Sequence, residues 1–205
     1  MAARRERRRP EERRQEIIDT ALTLADTLGL DRLTSRDVAQ AMGVTSPLVH
    51  HYFPTVDELI VAVFQQHAET QLAAEHRVIE GLPPTEALRA LVGQQLGITG
   101  EAARLWMSAW VAAPRRPALA AVVDQQMLAG LKLLTMLLED GMAAGVFHLQ
   151  DSRASAFRLL VLIDGVLVQK SMRAEATYGD VPSLVWDTVE REVGLPPGSL
   201  NSRPR

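Results

Sequence analysis

Apolar residues recur at helical spacing along most of the chain, and no segment shows a sustained alternation of apolar and polar positions. The first such segment runs from about Glu11 to Leu28. Further helices are predicted in residues 35–53 (two short helices), 54–80, 85–96, 101–112, 118–144, 152–176 and 182–193. We therefore predict an all-α fold of about nine helices.

Residues 34–53, TSRDVAQAMGVTSPLVHHYF, predict two short helices joined by a tight turn. Gly43 stands where a helix ends in a left-handed residue, and Pro47 lies in a first turn, where a missing N–H is harmless. The second helix offers hydroxyls, imidazoles and a phenol, which suit phosphates and base edges. This pattern indicates a helix-turn-helix that binds DNA, although other helical hairpins share it. Hydroxyl residues provide the caps: Thr34 or Ser35 for the first helix, and Thr45 or Ser46 for the second.

The charge is divided unevenly. The formal net charge is −3, but residues 1–14 hold seven arginines and three glutamates. We therefore expect a basic N-terminal arm that attracts phosphates. A solvated disordered tail is the alternative interpretation, and it is compatible because such arms often order on binding. The expected phosphate-contacting arginines of this arm are Arg4, Arg5, Arg7, Arg8 and Arg9.

Composition narrows the functional classes. With 205 residues and 47% apolar residues, the chain is long and apolar enough for a substantial core. It has no cysteine, which fits a reducing cytoplasm, and we expect neither a metal site nor a cofactor. Charges interrupt the apolar runs, so we expect no membrane span. No nucleophile elbow or phosphate loop is present, which argues against an enzyme. A helical scaffold, or a membrane-surface protein using the Arg-rich first helix, stays an alternative.

In the N-terminal quarter of the chain, a helix is followed by the segment LTSRDVAQAMGVTSPLVHHYFPTVDELI and then by a long helix. This arrangement resembles the TetR family of bacterial repressors. ARLWMSAW and LLVLIDGVLV resemble the choline-sensing, BetI-like subgroup. The resemblance implies a cytoplasmic homodimer that binds a palindromic operator and responds to a small molecule. We expect an arm and helix-turn-helix domain over 1–55, a helical ligand-binding and dimerisation domain over 56–194, and a flexible tail over 195–205.

The resemblance also implies DNA roles for particular positions. Thr34 and Thr45 would hold phosphates at helix N-termini, and Tyr52 would hydrogen-bond a third. Val56 stands where the family usually has a lysine, and Thr55 can serve there as a cap. The expected DNA-binding residues beyond the arm are Thr34, Ser35, Arg36, Thr45, Ser46, Pro47, Leu48, His50, His51, Tyr52 and Thr55.

An aromatic pair and a carboxylate suggest a cationic ligand such as a quaternary amine or polyamine. Trp106 and Trp110 are four residues apart, so they share a helix face and could hold a cation. Asp164 lies in an apolar stretch and needs a partner. Alternatively, both tryptophans are core or interface residues and Asp164 pairs with an arginine or hydroxyl. Leu167 stands where the subgroup has a third tryptophan. The expected ligand-binding residues are Trp106, Met107, Trp110, Phe147, Asp164 and Leu167.

The last two long helices carry more apolar surface than one monomer core readily uses. A two-fold four-helix interface between copies would bury the excess. The alternative is that both helices are central to the monomer. The expected interface residues are Phe157, Val161, Val168, Met172, Leu184, Val185 and Val189.

Overall fold

The computed structural model describes residues 9–97, 100–172 and 181–201, and the regular structure in these ranges is helical throughout. This confirms the predicted all-α class, with nine α-helices and one short 3₁₀ turn, Ala113–Arg115, in the described part. The helices are α1 (Pro10–Leu28), α2 (Ser35–Ala41), α3 (Ser46–Tyr52), α4 (Val56–Ile79), α5 (Pro84–Gly97), α6 (Gly100–Ala112), α7 (Pro117–Ala143), α8 (Ser152–Met172) and α9 (Val181–Val193).

The predicted helix-turn-helix is formed by α2 and α3. Thr34 and Asp37 make a capping box, in which the Thr34 hydroxyl accepts the Asp37 N–H at 3.2 Å and the Asp37 carboxylate accepts the Thr34 N–H at 3.2 Å. Gly43 has a φ of +64°, the left-handed conformation that the turn requires. Thr45 occupies the N-cap position of α3, but its side chain makes no capping hydrogen bond.

Packing divides the chain into two units. One unit consists of Met1–His67 with Arg104–Val123, and the other of Ala68–Ala103 with Asp124–Arg205. The boundary between these two units therefore does not lie after residue 55, where we predicted the domain boundary. The reason is that α4 is one continuous helix from Val56, and its residues up to His67 belong to the same unit as the helix-turn-helix.

The first unit holds the reading head, defined here as α1, α2 and α3, on an apolar core. Two polar contacts join Arg104–Val123 to the rest of this unit. The Leu30 N–H donates to the Ser108 hydroxyl at 3.2 Å, and the Arg116 Nε lies 2.9 Å from an Asp57 carboxylate oxygen. The fully buried large side chains of this unit include Ile17, Leu30, Phe53, Leu59, Ile60, Phe64, Leu105 and Leu119.

The second unit is built around one apolar cluster. Gly141 of α7 allows the Phe147 ring to pack directly on the helix backbone, since a Cβ at Gly141 would lie 1.9 Å from a ring carbon. The buried members of the cluster include Leu88, Leu91, Leu131, Leu134, Leu138, Phe147, Leu159, Val185, Val189, Val193 and Leu200.

The C-terminal segment is ordered where we predicted a flexible tail. Leu200 is 2% exposed and belongs to the core of the second unit. The Glu190 carboxylate accepts the N–H groups of Gly198 and Leu200, each at 2.7 Å. The prediction of a flexible tail is therefore wrong for 195–201, because these contacts outweigh the local Pro, Gly and Ser content; residues 202–205 lie outside the described part.

By length and composition alone, α7 meets the requirements of a membrane-spanning helix. Its most apolar 18-residue window has a mean hydropathy of 1.3, and 33% of that window is buried inside the protein. Lys132 lies in every 18-residue window of this helix, so a charge interrupts the apolar run. The same helix contributes Leu131, Leu134, Leu137 and Leu138 to the buried cluster, a use that core helices commonly show, so the helix is weak evidence for a membrane span.

Candidate functional site

Helix α3 has one buried face and one exposed polar face. Val49 is fully buried and Phe53, which follows the helix, is 2% exposed. Pro47, His50 and His51 are exposed on the other side. Packing on one side thus fixes a short helix whose polar side chains face outward, as an element that enters a DNA groove requires.

The exposed side chains of α3 can donate and accept hydrogen bonds. The His51 ring packs edge-on against Tyr52, with 5.2 Å between ring centroids, so the two rings restrict each other. Thr45 is exposed, and its hydroxyl is not used in capping. Ser46, Leu48 and Tyr52 are half-buried. Imidazole, hydroxyl and phenol groups in this arrangement suit base edges and phosphates.

The hydroxyl groups at the N-termini of α2 and α4 are either hydrogen-bonded within the chain or buried. The Thr34 hydroxyl is engaged with Asp37, and Ser35 is 6% exposed. Burial of Ser35 corrects our expectation that this side chain contacts DNA, whereas Thr34 is exposed at the N-terminus of α2 and its phosphate contact stays a prediction. The Thr55 hydroxyl accepts the Glu58 N–H at 3.2 Å and so caps α4, as the sequence indicated.

The described basic residues near the head differ in their partners. Arg9 is exposed and lies 3.7 Å from Glu12 in an ion pair. Arg36 is exposed on α2 and makes no ion pair with any described residue. Four of the expected arm residues lie outside the described part of the chain: Arg4, Arg5, Arg7 and Arg8.

The two tryptophans of α6 form an aromatic cluster in the first unit. The ring centroids of Trp106 and Trp110 are 5.9 Å apart, and Trp106 meets Phe64 edge to face at 4.9 Å. Met107, on the same helix, is half-buried. The Trp110 Nε1 is buried and has no acceptor among the described residues. The ring faces of such a cluster can attract a cation.

The remaining expected ligand residues lie in the second unit. Asp164 is half-buried on α8, and burial raises the pKa of its carboxyl to about 6. No described residue donates a hydrogen bond to this carboxylate. Leu167 is 8% exposed and packs with Ala103 and Ile163. Phe147 is a core residue rather than a ligand residue, because its ring fills the space at Gly141 and is 2% exposed.

The expected interface residues divide into exposed and buried groups. Phe157 and Val161 on α8, and Leu184 on α9, are 58%, 53% and 58% exposed. Val185 and Val189 are fully buried in the core of this unit. These two predictions are wrong, because side chains enclosed by their own chain cannot contact a second copy. Val168 is half-buried, and the Met172 side chain lies outside the described part.

Two buried polar groups were not recognised from the sequence. Glu75 is 6% exposed and accepts hydrogen bonds from Gln95 at 2.5 Å and Gln71 at 3.0 Å, and burial raises its pKa. In the first unit, burial lowers the pKa of His67, whose Nε2 has no partner in the described chain. Both residues lie on α4 in a segment with many polar side chains, and the spacing of the apolar residues does not indicate that their polar groups are buried.

Two family models match the chain. Residues 84–194 match the C-terminal domain of BetI-type transcriptional repressors, and residues 17–63 match bacterial regulatory proteins of the tetR family. The HTH-type transcriptional regulator BetI of Stenotrophomonas maltophilia is 30% identical over 127 residues, which cover 58% of this chain and 65% of that protein. BetI 2 of Chromohalobacter salexigens is 26% identical over 172 residues, 80% of this chain and 79% of its own length.

A similar solved structure shows the same fold. A transcriptional regulator from Saccharomonospora viridis, determined in complex with choline, has a TM-score of 0.77 at 22% identity and covers 87% of this chain and 94% of its own. The matched families and relatives are DNA-binding transcriptional regulators and not enzymes. Because the BetI-type model alone matches more than half of the residues, the chain belongs to the TetR family of bacterial transcriptional regulators, with a C-terminal domain of the BetI type.

Proposed function

We propose that this regulator is a homodimeric repressor that binds a palindromic operator through α3 and is released by a small cationic effector. The observation that carries the proposal is the exposed polar face of α3, held in place by buried Val49 and Phe53. A bacterial operator lies in the cytoplasm, and we place the protein there.

In this proposal, α3 reads the major groove. His50 and His51 contact base edges, and Leu48 offers an apolar contact to a thymine methyl group. Thr45 and Tyr52 contact phosphates and set the register. The basic arm adds phosphate contacts that carry affinity rather than sequence preference.

The test is a gel shift against DNA flanking the coding region of this protein, beside an unrelated duplex. We expect His50→Ala to reduce binding to the flanking DNA by about tenfold or more, and to change affinity for the unrelated duplex little. His148→Ala is the matched control, since His148 is exposed but lies in the second unit. Equal loss on both duplexes would contradict a reading role for His50.

We propose that the effector is a cation held against the ring faces of Trp106 and Trp110. The two neighbouring rings, tilted by 53° with centroids 5.9 Å apart, support this, as does the choline bound in the similar structure from Saccharomonospora viridis. Asp164 supports a cationic ligand independently, because a half-buried carboxylate without a described partner favours a positive neighbour.

Choline is the probe for the effector proposal. Trp186→Phe removes the third tryptophan, so that fluorescence reports only Trp106 and Trp110. We expect a saturable fluorescence change in this background, and about a tenfold or greater loss of choline affinity when Trp106→Leu is added. The effector proposal fails if Trp106→Leu leaves the binding curve unchanged.

We propose that Phe157, Val161 and Leu184 lie at a two-fold interface between copies. Each is more than half exposed, and a second copy would remove this apolar surface from water. Phe157→Glu should produce a monomer in sedimentation and abolish operator binding, because paired half-sites need paired heads. Val111→Glu is the control, since Val111 is 67% exposed on α6. A dimer that persists in Phe157→Glu would exclude this face.

A further inference from the structure

The positively charged guanidinium of Arg14 lies beside the C-terminal end of α3. Its guanidinium carbon lies 4.8 Å from the centroid of the Phe53 ring, in a cation–π contact between α1 and the residue that follows α3. Phe53 is 2% exposed and belongs to the core, so the ring that supports the guanidinium is fixed. Arg14 itself is exposed.

The neighbouring arginine has a different environment. Arg13 Nη1 lies 2.7 Å from a Glu16 carboxylate oxygen, and only 20% of the Arg13 side chain is exposed. Arg14 makes no ion pair with any described residue. Two adjacent arginines on one helix thus differ in one property, because among the described residues the charge of Arg13 is paired with Glu16 and that of Arg14 is not paired.

The contact with Phe53 leaves the N–H donors of Arg14 available. A guanidinium over a ring uses its face for the contact, while its five N–H groups point outward along its edges. Because the side chain is already restrained, less rotamer entropy is lost when those donors bind a partner. A rigid planar donor of this kind matches the oxygen atoms of a phosphate.

We propose that Arg14 contacts a phosphate of the DNA backbone at the edge of the groove that α3 enters. This inference rests on the proposed reading role of α3, and it adds a positioning residue outside the helix-turn-helix and outside Arg4–Arg9. Because a phosphate contact carries no base information, Arg14 contributes to affinity on any duplex and to the salt dependence of binding.

The experiment measures binding of the full chain to the flanking-DNA duplex and to an unrelated duplex over a salt series, by fluorescence anisotropy. For Arg14→Ala we expect the slope of log K against log salt to fall by about 1.8 per bound dimer on both duplexes, because each of the two subunits loses one phosphate contact worth about 0.9. Arg13→Ala, as the matched control, should keep the wild-type slope. Arg14→Lys should keep the slope, since it retains the charge, but bind more weakly.

A purely structural role gives a different result. The positive charge of Arg14 also lies near the negative C-terminal end of α3, where it could stabilise the helix. In that case Arg14→Ala lowers the melting temperature and leaves the salt slope unchanged, which would overturn the proposal while wild-type DNA binding persists. Equal slope changes in Arg13→Ala and Arg14→Ala would overturn it too. Absence of wild-type binding to either duplex would overturn the reading role of α3 together with this inference.

Discussion

The reading head and the helix pair α8 and α9 differ in how their residues acquire a role. In the head, residues such as Gly43 and Pro47 have a backbone requirement that is visible in the sequence, and the structure places them where that requirement predicts. In α9, Leu184 and Val185 are adjacent and similarly apolar, yet one is 58% exposed and the other fully buried. The residues that fix a backbone conformation act within a few positions of the sequence, whereas the burial of a side chain depends on which neighbouring element its helix packs against.

The C-terminal segment gives the largest test of this difference. If burial against Glu190 and the core orders this segment, Leu200→Ala should lower the free energy of unfolding by about 2–5 kcal/mol. Glu190→Ala should cost about 2–4 kcal/mol, because two backbone N–H groups lose their acceptor. Urea unfolding followed by circular dichroism measures both losses.

Ser199→Ala is the control for the C-terminal segment. The Ser199 hydroxyl donates to the Pro196 carbonyl in an exposed position, so its loss should change stability by less than about 0.5 kcal/mol. If Leu200→Ala has wild-type stability, the segment contributes nothing to the free energy of unfolding. In that case its Pro, Gly and Ser content would have predicted its flexibility correctly.

Helix positions and the helix-turn-helix could be predicted from the sequence, because periodicity and caps are encoded within a few residues. The boundaries of α2 and α3 illustrate this. The burial of Ser35, Phe147 and Val189 could not be predicted, because it depends on side chains distant along the chain. The sequence identified Trp106 and Trp110 as neighbours, but it gave no sign that Phe64 completes their cluster.

Asp164 provides the second test, because its role depends on environment rather than on local pattern. Burial raises its pKa from the ordinary 3.8 to about 6, so the folded chain binds this proton more readily than the unfolded chain. Stability therefore falls as pH rises from about 4 to about 6, and the cost is fully present above pH 6. Asp164→Asn should stabilise the ligand-free protein at pH 7.5 by no more than about 2 kcal/mol, because solvent still screens a half-buried carboxylate.

The pH dependence separates this explanation from a general effect of the substitution. Thermal melts of wild type and Asp164→Asn should converge well below the ordinary pKa of 3.8, where Asp164 is protonated in both the folded and the unfolded state. A stability difference that is constant from pH 4 to pH 8 would exclude titration of Asp164 as its cause.

The smallest expected effect distinguishes two threonines of the head that look equivalent in the sequence. Thr34 accepts the Asp37 N–H, whereas Thr45 makes no side-chain capping hydrogen bond. Thr34→Ala should therefore cost about 1 kcal/mol of stability, and Thr45→Ala close to none. DNA binding should show the reverse order, because the Thr34 hydroxyl is engaged with Asp37 and the Thr45 hydroxyl is not used in capping. If Thr45→Ala destabilises the protein as much as Thr34→Ala, its hydroxyl serves the fold, and the phosphate contact proposed for it loses its basis.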